Sequence, residues 1–324
     1  MMMKKVLVVE SPAKARKIKG FFSDDTECIA SYGHICDLAE KTLSIDIDRD
    51  FQPSYQICKG KEKIATILKN YSQTHEIILA ADDDREGHAI AWHCGKVADL
   101  DFTKQNRITF HEISKSAIHS ALKDIHRINM NEVYAQQARR IIDRLVGFSL
   151  SPLLWKHIQT HQKGLSAGRV QSTLLRILKD KQDEIKSFTP EKEHVCKGTF
   201  TFSDKLTDIS GSSRGTYISP DSIQDPHALL TSFSNHRDFK IHSQEHTDEM
   251  EYSPRPLITS TLQRNAYKEL NYSVRTTMNI AQKLYENGKI TYMRTDSSAM
   301  SPSFQHKLKQ HIGTTWSSDY FQGT

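Results

Sequence analysis

Residues 79–88 read LAADDDREGH, an apolar run that ends in three aspartates, an arginine and a glutamate. Carboxylates packed this closely repel one another, so the turn needs positive charge beside it. In an extended chain side chains alternate, which puts Asp82 and Asp84 on one side and Asp83 on the other. Together with Glu86 they would form a patch of hard oxygen donors. Mg2+ suits such a patch, because it is commonly held by one or two carboxylates while keeping several waters. The alternative is that the run supplies an N-cap and an acidic first turn to the helix behind it. Glu10 closes a second apolar run, KVLVVE, and is followed by Ser11, Pro12, Ala13 and Lys14. If the two runs are parallel strands, Glu10 and Lys14 join the acidic turn at the sheet edge where α/β folds bind ligands. Replacing Asp82 and Asp84 by Asn is then expected to relieve repulsion and slightly stabilise the metal-free protein.

Several elements must carry these residues. KVLVVE (residues 5–10) reads as a buried strand, residues 13–22 as a basic helix, and CIASYGHI as a second strand. EIILAA (residues 76–81) is another strand, followed by a helical pattern over residues 87–97, the strand RITF and a helix starting near Ser114. This alternation predicts a parallel-rich α/β sheet with helices on its faces. Residues 131–146 place Tyr134, Ala138, Ile141 and Leu145 on one helical stripe, with Arg139, Arg140, Asp143 and Arg144 on the other side. A second long helix over residues 167–185 aligns Val170, Leu174, Ile177 and Ile185 and ends at Thr189 and Pro190. Residues 194–244 are alternating, polar and turn-rich, which predicts short strands. Two helices over residues 259–270 and 273–287 follow, with Gly288 as a C′ stop and KITYMR as a strand. The expected domains are 1–130, 131–188, 189–255 and 256–324.

The chain has 324 residues, of which 26% are charged and 37% hydrophobic, and a net charge of +5. No apolar stretch approaches the ~18 residues of a membrane span. The opening MMMKKVLVVE is too short in its apolar run for a signal peptide, so a cytosolic or nuclear-type compartment is expected. The cysteines at 28, 36, 58, 94 and 196 form no C-x-x-C pair, against a zinc site or disulfide framework. Mild basicity is compatible with a polyanionic partner.

VLVVESPAKARKI, SYGHICDL and LAADDDREGHAIAWH resemble the toprim domain of type IA DNA topoisomerases, the bacterial topoisomerase I branch in particular. FHEISKSAI, QQARRIIDRLVGFSLSPLLWK, GLSAGRVQS and ITYMRTDS extend the resemblance in the family's order. It implies an α/β toprim domain followed by α-helical and mixed α/β segments. Tyr292 would be the nucleophile that attacks a DNA phosphodiester and forms a 5′-phosphotyrosine. Arg294, two positions on, would stabilise charge on the phosphate. The resemblance assigns Glu10 to proton transfer at the leaving 3′-oxygen or to the metal, and Lys14 to electrostatic support. Asp82, Asp84 and Glu86 match its Mg2+ carboxylates. His34, Arg140, Arg144 and Lys156 match contacts to single-stranded DNA, as do Arg294 and the run Ser166, Ala167, Gly168, Arg169, Val170 and Gln171. The implied partner is DNA, single-stranded segments of a negatively supercoiled duplex. No nucleotide cofactor is expected, since covalent attachment conserves the bond energy and no G-x-x-x-x-G-K-[ST] loop occurs.

Three features depart from the family pattern. His88 stands where most relatives have a glutamate, which leaves the number of metal ions open. The linker IQTHQKG is slightly longer than usual in the bacterial branch. The family's later E-A-H-x-A-I-R-P segment does not occur, so an architecture incomplete at its C-terminus is expected, one that binds single-stranded DNA without relaxing a plasmid. Two alternatives stay open: a catalytically silent DNA-binding fragment, and a toprim primase- or nuclease-like enzyme without a tyrosine nucleophile.

Overall fold

The computed structural model describes residues 4–23, 25–158, 164–190, 196–204, 209–217, 225–235 and 252–317, with positions 243, 245, 247–249, 320 and 321. They form two compact units: Met1–Ser172 with Pro254–Thr324, and Thr173–Ser253. In the first unit β1 (Lys4–Val9) leads into α1 (Pro12–Lys19), β2 (Thr26–Ala30) and β3 (Cys36–Leu38). Two short strands, β4 (Ile45–Asp46) and β5 (Gln52–Pro53), pair with each other, and β6 (Tyr55–Ile57) pairs antiparallel with β3. Next come α2 (Glu62–Thr74), β7 (His75–Leu79), α3 (Arg85–Val97), α4 (Lys115–Ala121) and the 28-residue α5 (Met130–His157).

The central sheet runs β2-β1-β7, parallel throughout, with Leu7 opposite both Cys28 and Ile78. Parallel sheets bury both faces, so their strands are apolar on both sides. Val6 and Val8 pack on one face with Leu68, Ile77, Leu79 and Ile90. Leu7 and Val9 pack on the other with Ile18, Ile78, Ile108, Ile118, Ala281 and Tyr285. The second face is therefore shared between the N-terminal elements and the last stretch of chain. That stretch holds α8 (Thr259–Leu270) and α9 (Val274–Glu286), separated, in chain order, from α5 by α6 (Arg169–Ser187) and α7 (Pro226–Asn235), and followed by α10 (Pro302–Thr315). Among the described residues, no helix is long and apolar enough to cross a membrane.

The second unit contains most of α6, the helix α7 and an antiparallel hairpin of β8 (Cys196–Asp204) and β9 (Ile209–Tyr217). The hairpin answers to the alternating pattern; α7 lies in the same stretch and was not expected from it. Residues 191–195, 205–208, 218–224 and 236–242 of that stretch lie outside the described residues, as do positions 159–163 of the linker IQTHQKG.

Three expected strands differ. CIASYGHI stops pairing at Ala30, because Tyr32 (φ 58°) and Gly33 (φ 84°) turn left-handed and break the pleat. RITF makes only isolated bridges, Arg107 to Leu79 in parallel and to His126 antiparallel. KITYMR forms no strand: it has no neighbouring strand to pair with, and Tyr292 N donates instead to the His111 carbonyl, at 2.8 Å.

Candidate active site

Glu10 and the acidic turn lie at the same edge, because β1 and β7 are adjacent and parallel. Asp82 N donates to Glu10 Oε1 at 2.9 Å, which ties the two strand ends together. Ser11 caps α1 through the Lys14 N–H, and this first turn carries Lys14 inward until it is 0% exposed. Its ammonium contacts Asp82 Oδ2 at 2.5 Å and Glu10 Oε2 at 3.6 Å. The other Asp82 oxygen accepts from Tyr285 Oη at 2.9 Å. Burial, opposed by Lys14 and reinforced by Asp82, raises the Glu10 carboxyl above the usual carboxylate range.

Asp84 is the N-cap of α3: its Oδ1 accepts from Gly87 N at 2.7 Å. The capping alternative thus holds for this residue, yet its second oxygen is directed elsewhere. Asp84 Oδ2 accepts the Tyr292 hydroxyl. Arg294 Nη1 lies 3.3 Å from Glu86 Oε2 and 3.9 Å from Asp84 Oδ2. His34 Nε2 stands 3.5 Å from the other Glu86 oxygen. The hydrogen bond from His34, with Arg294 adding to it, holds Glu86 down at about 2. Burial first, and then the hydrogen bond to Asp84, pushes the Tyr292 phenol above its ordinary range. Asp83 faces away from this group, as alternation requires, toward His88 (3.3 Å) and His111 (3.7 Å).

Glu10, Lys14, His34, Asp82, Asp84, Glu86, Tyr292 and Arg294 therefore meet at one edge. Tyr292 and Arg294 converge although their segment is not a strand. The donor chemistry suits a hard cation, with Glu10, Asp84 and Glu86 each partly open to solvent. Asp82 differs, since Lys14 and Tyr285 occupy both of its oxygens. Among the described residues, no three metal-ligating side chains are grouped as a cradle for an ion.

The other expected DNA contacts lie on α5 and around the start of α6. Arg140 makes two bonds to Asp37, at 3.0 and 2.6 Å, and Arg144 donates to the carbonyls of Leu38, Ala39 and Thr42. These two arginines fasten α5 to β3 and to the segment that follows it. Lys156 is exposed near the end of α5. Ser166, Ala167 and Gly168 precede α6, while Arg169, Val170 and Gln171 form its first turn. Arg169 Nε contacts Asp143 at 3.0 Å, and Gln171 reaches back to Ser166. Two residues of the edge escaped the sequence analysis. Tyr285 looked like one more apolar position of a helix, and Arg107 sat in a stretch read as a strand.

A family described as DNA topoisomerase matches residues 127–324, and the toprim domain family matches residues 5–113. The structure is similar to that of full-length topoisomerase I from Thermotoga maritima, at 36% sequence identity and a TM-score of 0.85. The similarity covers 97% of this chain and 53% of that one, so this chain spans about half the length of that relative.

Proposed function

The chain belongs to the DNA topoisomerase family, type IA, and from that premise we propose that its acidic edge cleaves and rejoins single strands of DNA through Tyr292. The observation that carries this is the Tyr292 hydroxyl donating to Asp84 with the Arg294 guanidinium beside the same carboxylate. A phenol at neutral pH is a weak nucleophile and needs a proton acceptor and nearby positive charge. Asp84 Oδ2 is in place to take the proton as Tyr292 Oη bonds to phosphorus. Arg294 and Lys14 stabilise charge on the phosphate oxygens. The bond from phosphorus to the 3′-oxygen breaks, and Glu10, whose carboxyl holds a proton more readily than usual, protonates the leaving oxygen. Reversal rejoins the strand without ATP.

Mg2+, keeping several waters, would be held by Asp84 and Glu86 while both are ionised, and would supply further positive charge at the phosphate. Coupled to strand passage, as in a complete enzyme of this family, the reaction would relax negatively supercoiled DNA, in the cytoplasm on nucleoid DNA. These 324 residues alone are expected to bind single strands without relaxing a plasmid.

The test is incubation with a single-stranded oligonucleotide, followed by a search for a denaturant-resistant adduct. Wild type should form one; Tyr292→Phe should not, while its single-strand affinity stays within about twofold, because one hydroxyl adds little to phosphate binding. An adduct that survives the substitution removes Tyr292 from the role. DNA binding with no adduct in wild type would favour a silent binding module, and nicking without an adduct a nuclease-like toprim enzyme.

A further inference from the structure

Arg107 is 0% exposed and lies beneath the acidic turn. Its Nη1 donates to the carbonyls of Ile108 (2.6 Å), Ala81 (2.7 Å) and Leu79 (3.2 Å), and its Nη2 to that of Asp82 (2.8 Å). The backbone of Arg107 is itself fixed, exchanging hydrogen bonds with His126 at 2.9 Å in both directions. A cation this deep is costly to desolvate unless dipoles and opposite charge surround it. Here carbonyl oxygens supply the dipoles, and Asp83, Glu10, Asp82 and Asp84 supply the charge.

Two of the carbonyls it binds, those of Ala81 and Asp82, lie past the end of the sheet ladder, whereas that of Leu79 also accepts from Ile108 N at 3.0 Å. β7 ends at Leu79, and past Ala80, whose N–H still donates to Val8, the strand has no ladder to continue. An unbonded buried carbonyl is expensive, so the turn would otherwise reach for water or rearrange. From the opposite side α3 closes on the same residue: a Cβ on Gly87 would fall 2.2 Å from the Asp82 carbonyl oxygen. Asp82 is therefore held through its backbone, between a guanidinium and a glycine that admits no side chain.

We propose that Arg107 is the positioning residue of the acidic edge, a built-in countercharge whose bonds to Leu79, Ala81 and Asp82 set the carboxylates in place before any cation or DNA arrives. Only a planar guanidinium carries enough donors in one plane for this set of carbonyls; the ammonium of lysine has three in a tetrahedral arrangement. Its contribution to cleavage rests on the proposed role of Tyr292, whereas its hold on the turn does not.

Two measurements separate these. The first is hydrogen–deuterium exchange of the full chain in EDTA, read in peptides spanning residues 80–87. In Arg107→Lys and Arg107→Met, exchange there should quicken about tenfold while peptides of β1 and β2 keep wild-type protection. The second is the adduct assay: Arg107→Lys should form adduct about tenfold more slowly, with single-strand affinity within about twofold. A general loss of fold would instead quicken exchange in β1 and β2 as well and weaken single-strand binding. If Arg107→Met does not fold by circular dichroism, Arg107→Lys decides. A folded Arg107→Lys with wild-type exchange at residues 80–87 overturns the proposal. So does quickened exchange with an unchanged rate of adduct formation. If wild type itself forms no adduct, the role of Tyr292 fails, and the exchange measurement alone still decides for or against Arg107.

Discussion

At the scale of single residues, the two aspartates of the edge divide their work. Asp82 neutralises Lys14, whose side chain is 0% exposed, so the aspartate is part of a buried ion pair. Removing one partner of such a pair leaves the other charge stranded, and Asp82→Asn should cost about 3 kcal/mol in denaturant unfolding. This reverses the expectation that neutralising the turn relieves repulsion: the repulsion is already answered by Lys14, Arg107 and Arg294. Asp84→Asn should change stability by less than about 0.5 kcal/mol, because Asn caps a helix as well as Asp does. It should nevertheless suppress adduct formation, which the same oligonucleotide assay reads. His93 gives a separate signature. It is 4% exposed against Tyr55 and Trp92, and burial, helped by His34, lowers its pKa from 6.5 to about 4. The unfolded chain therefore takes up a proton at a higher pH than the folded one. Stability should be complete above pH ~6.5 and fall by roughly 3 kcal/mol as pH drops toward ~4. Chemical denaturation across that range, compared with His93→Phe, checks it; the variant should lose this component of the slope. The charged groups of the edge were legible in the sequence, since carboxylates at strand ends stand out. Arg107 and Tyr285 were not, because nothing local distinguishes a buried clamp from a solvated arginine or a core tyrosine.

At the scale of elements, period and punctuation were readable where a segment's own pattern decides its state. The helices α8 and α9 and the stop at Gly288 follow from spacing and a glycine. The parallel sheet follows from alternating β and α. What failed were segments whose state depends on a partner. RITF and KITYMR are apolar enough for strands, but the first meets its neighbours at a single residue and the second meets none. Gly288 is where element and site meet. Its φ is +65°, and a Cβ there would lie 2.4 Å from the Ile113 carbonyl oxygen. Gly288→Ala should destabilise by roughly 1–3 kcal/mol through a strained backbone, and it should also slow adduct formation. The reason is that this turn delivers Tyr292 to the His111 carbonyl. Thermal unfolding beside the adduct assay tests both halves. A variant that loses stability but keeps the adduct rate would detach the turn from the site.

At the scale of the whole molecule, the described buried apolar residues all belong to the unit made of Met1–Ser172 and Pro254–Thr324. Calorimetry should therefore show one dominant transition, that of the unit that holds this core. Binding of single-stranded DNA by the 324-residue chain should weaken steeply with salt, by about 0.7 in log–log slope for each phosphate neutralised. Lys156→Ala should lower that slope by about one such step. Arg144→Ala should instead loosen the loop it binds, because its guanidinium is engaged with backbone carbonyls. The site joins residues 208 apart in sequence, Asp84 and Tyr292. During synthesis at roughly 5–20 residues per second, the aspartates leave the ribosome on the order of 10–40 s before their tyrosine. For that interval a nascent chain carries a crowded acidic edge with no tyrosine to cover it. Lys14 has emerged earlier and Arg107 follows within a few seconds, so the growing chain supplies its own counter-ions while the nucleophile is still unmade.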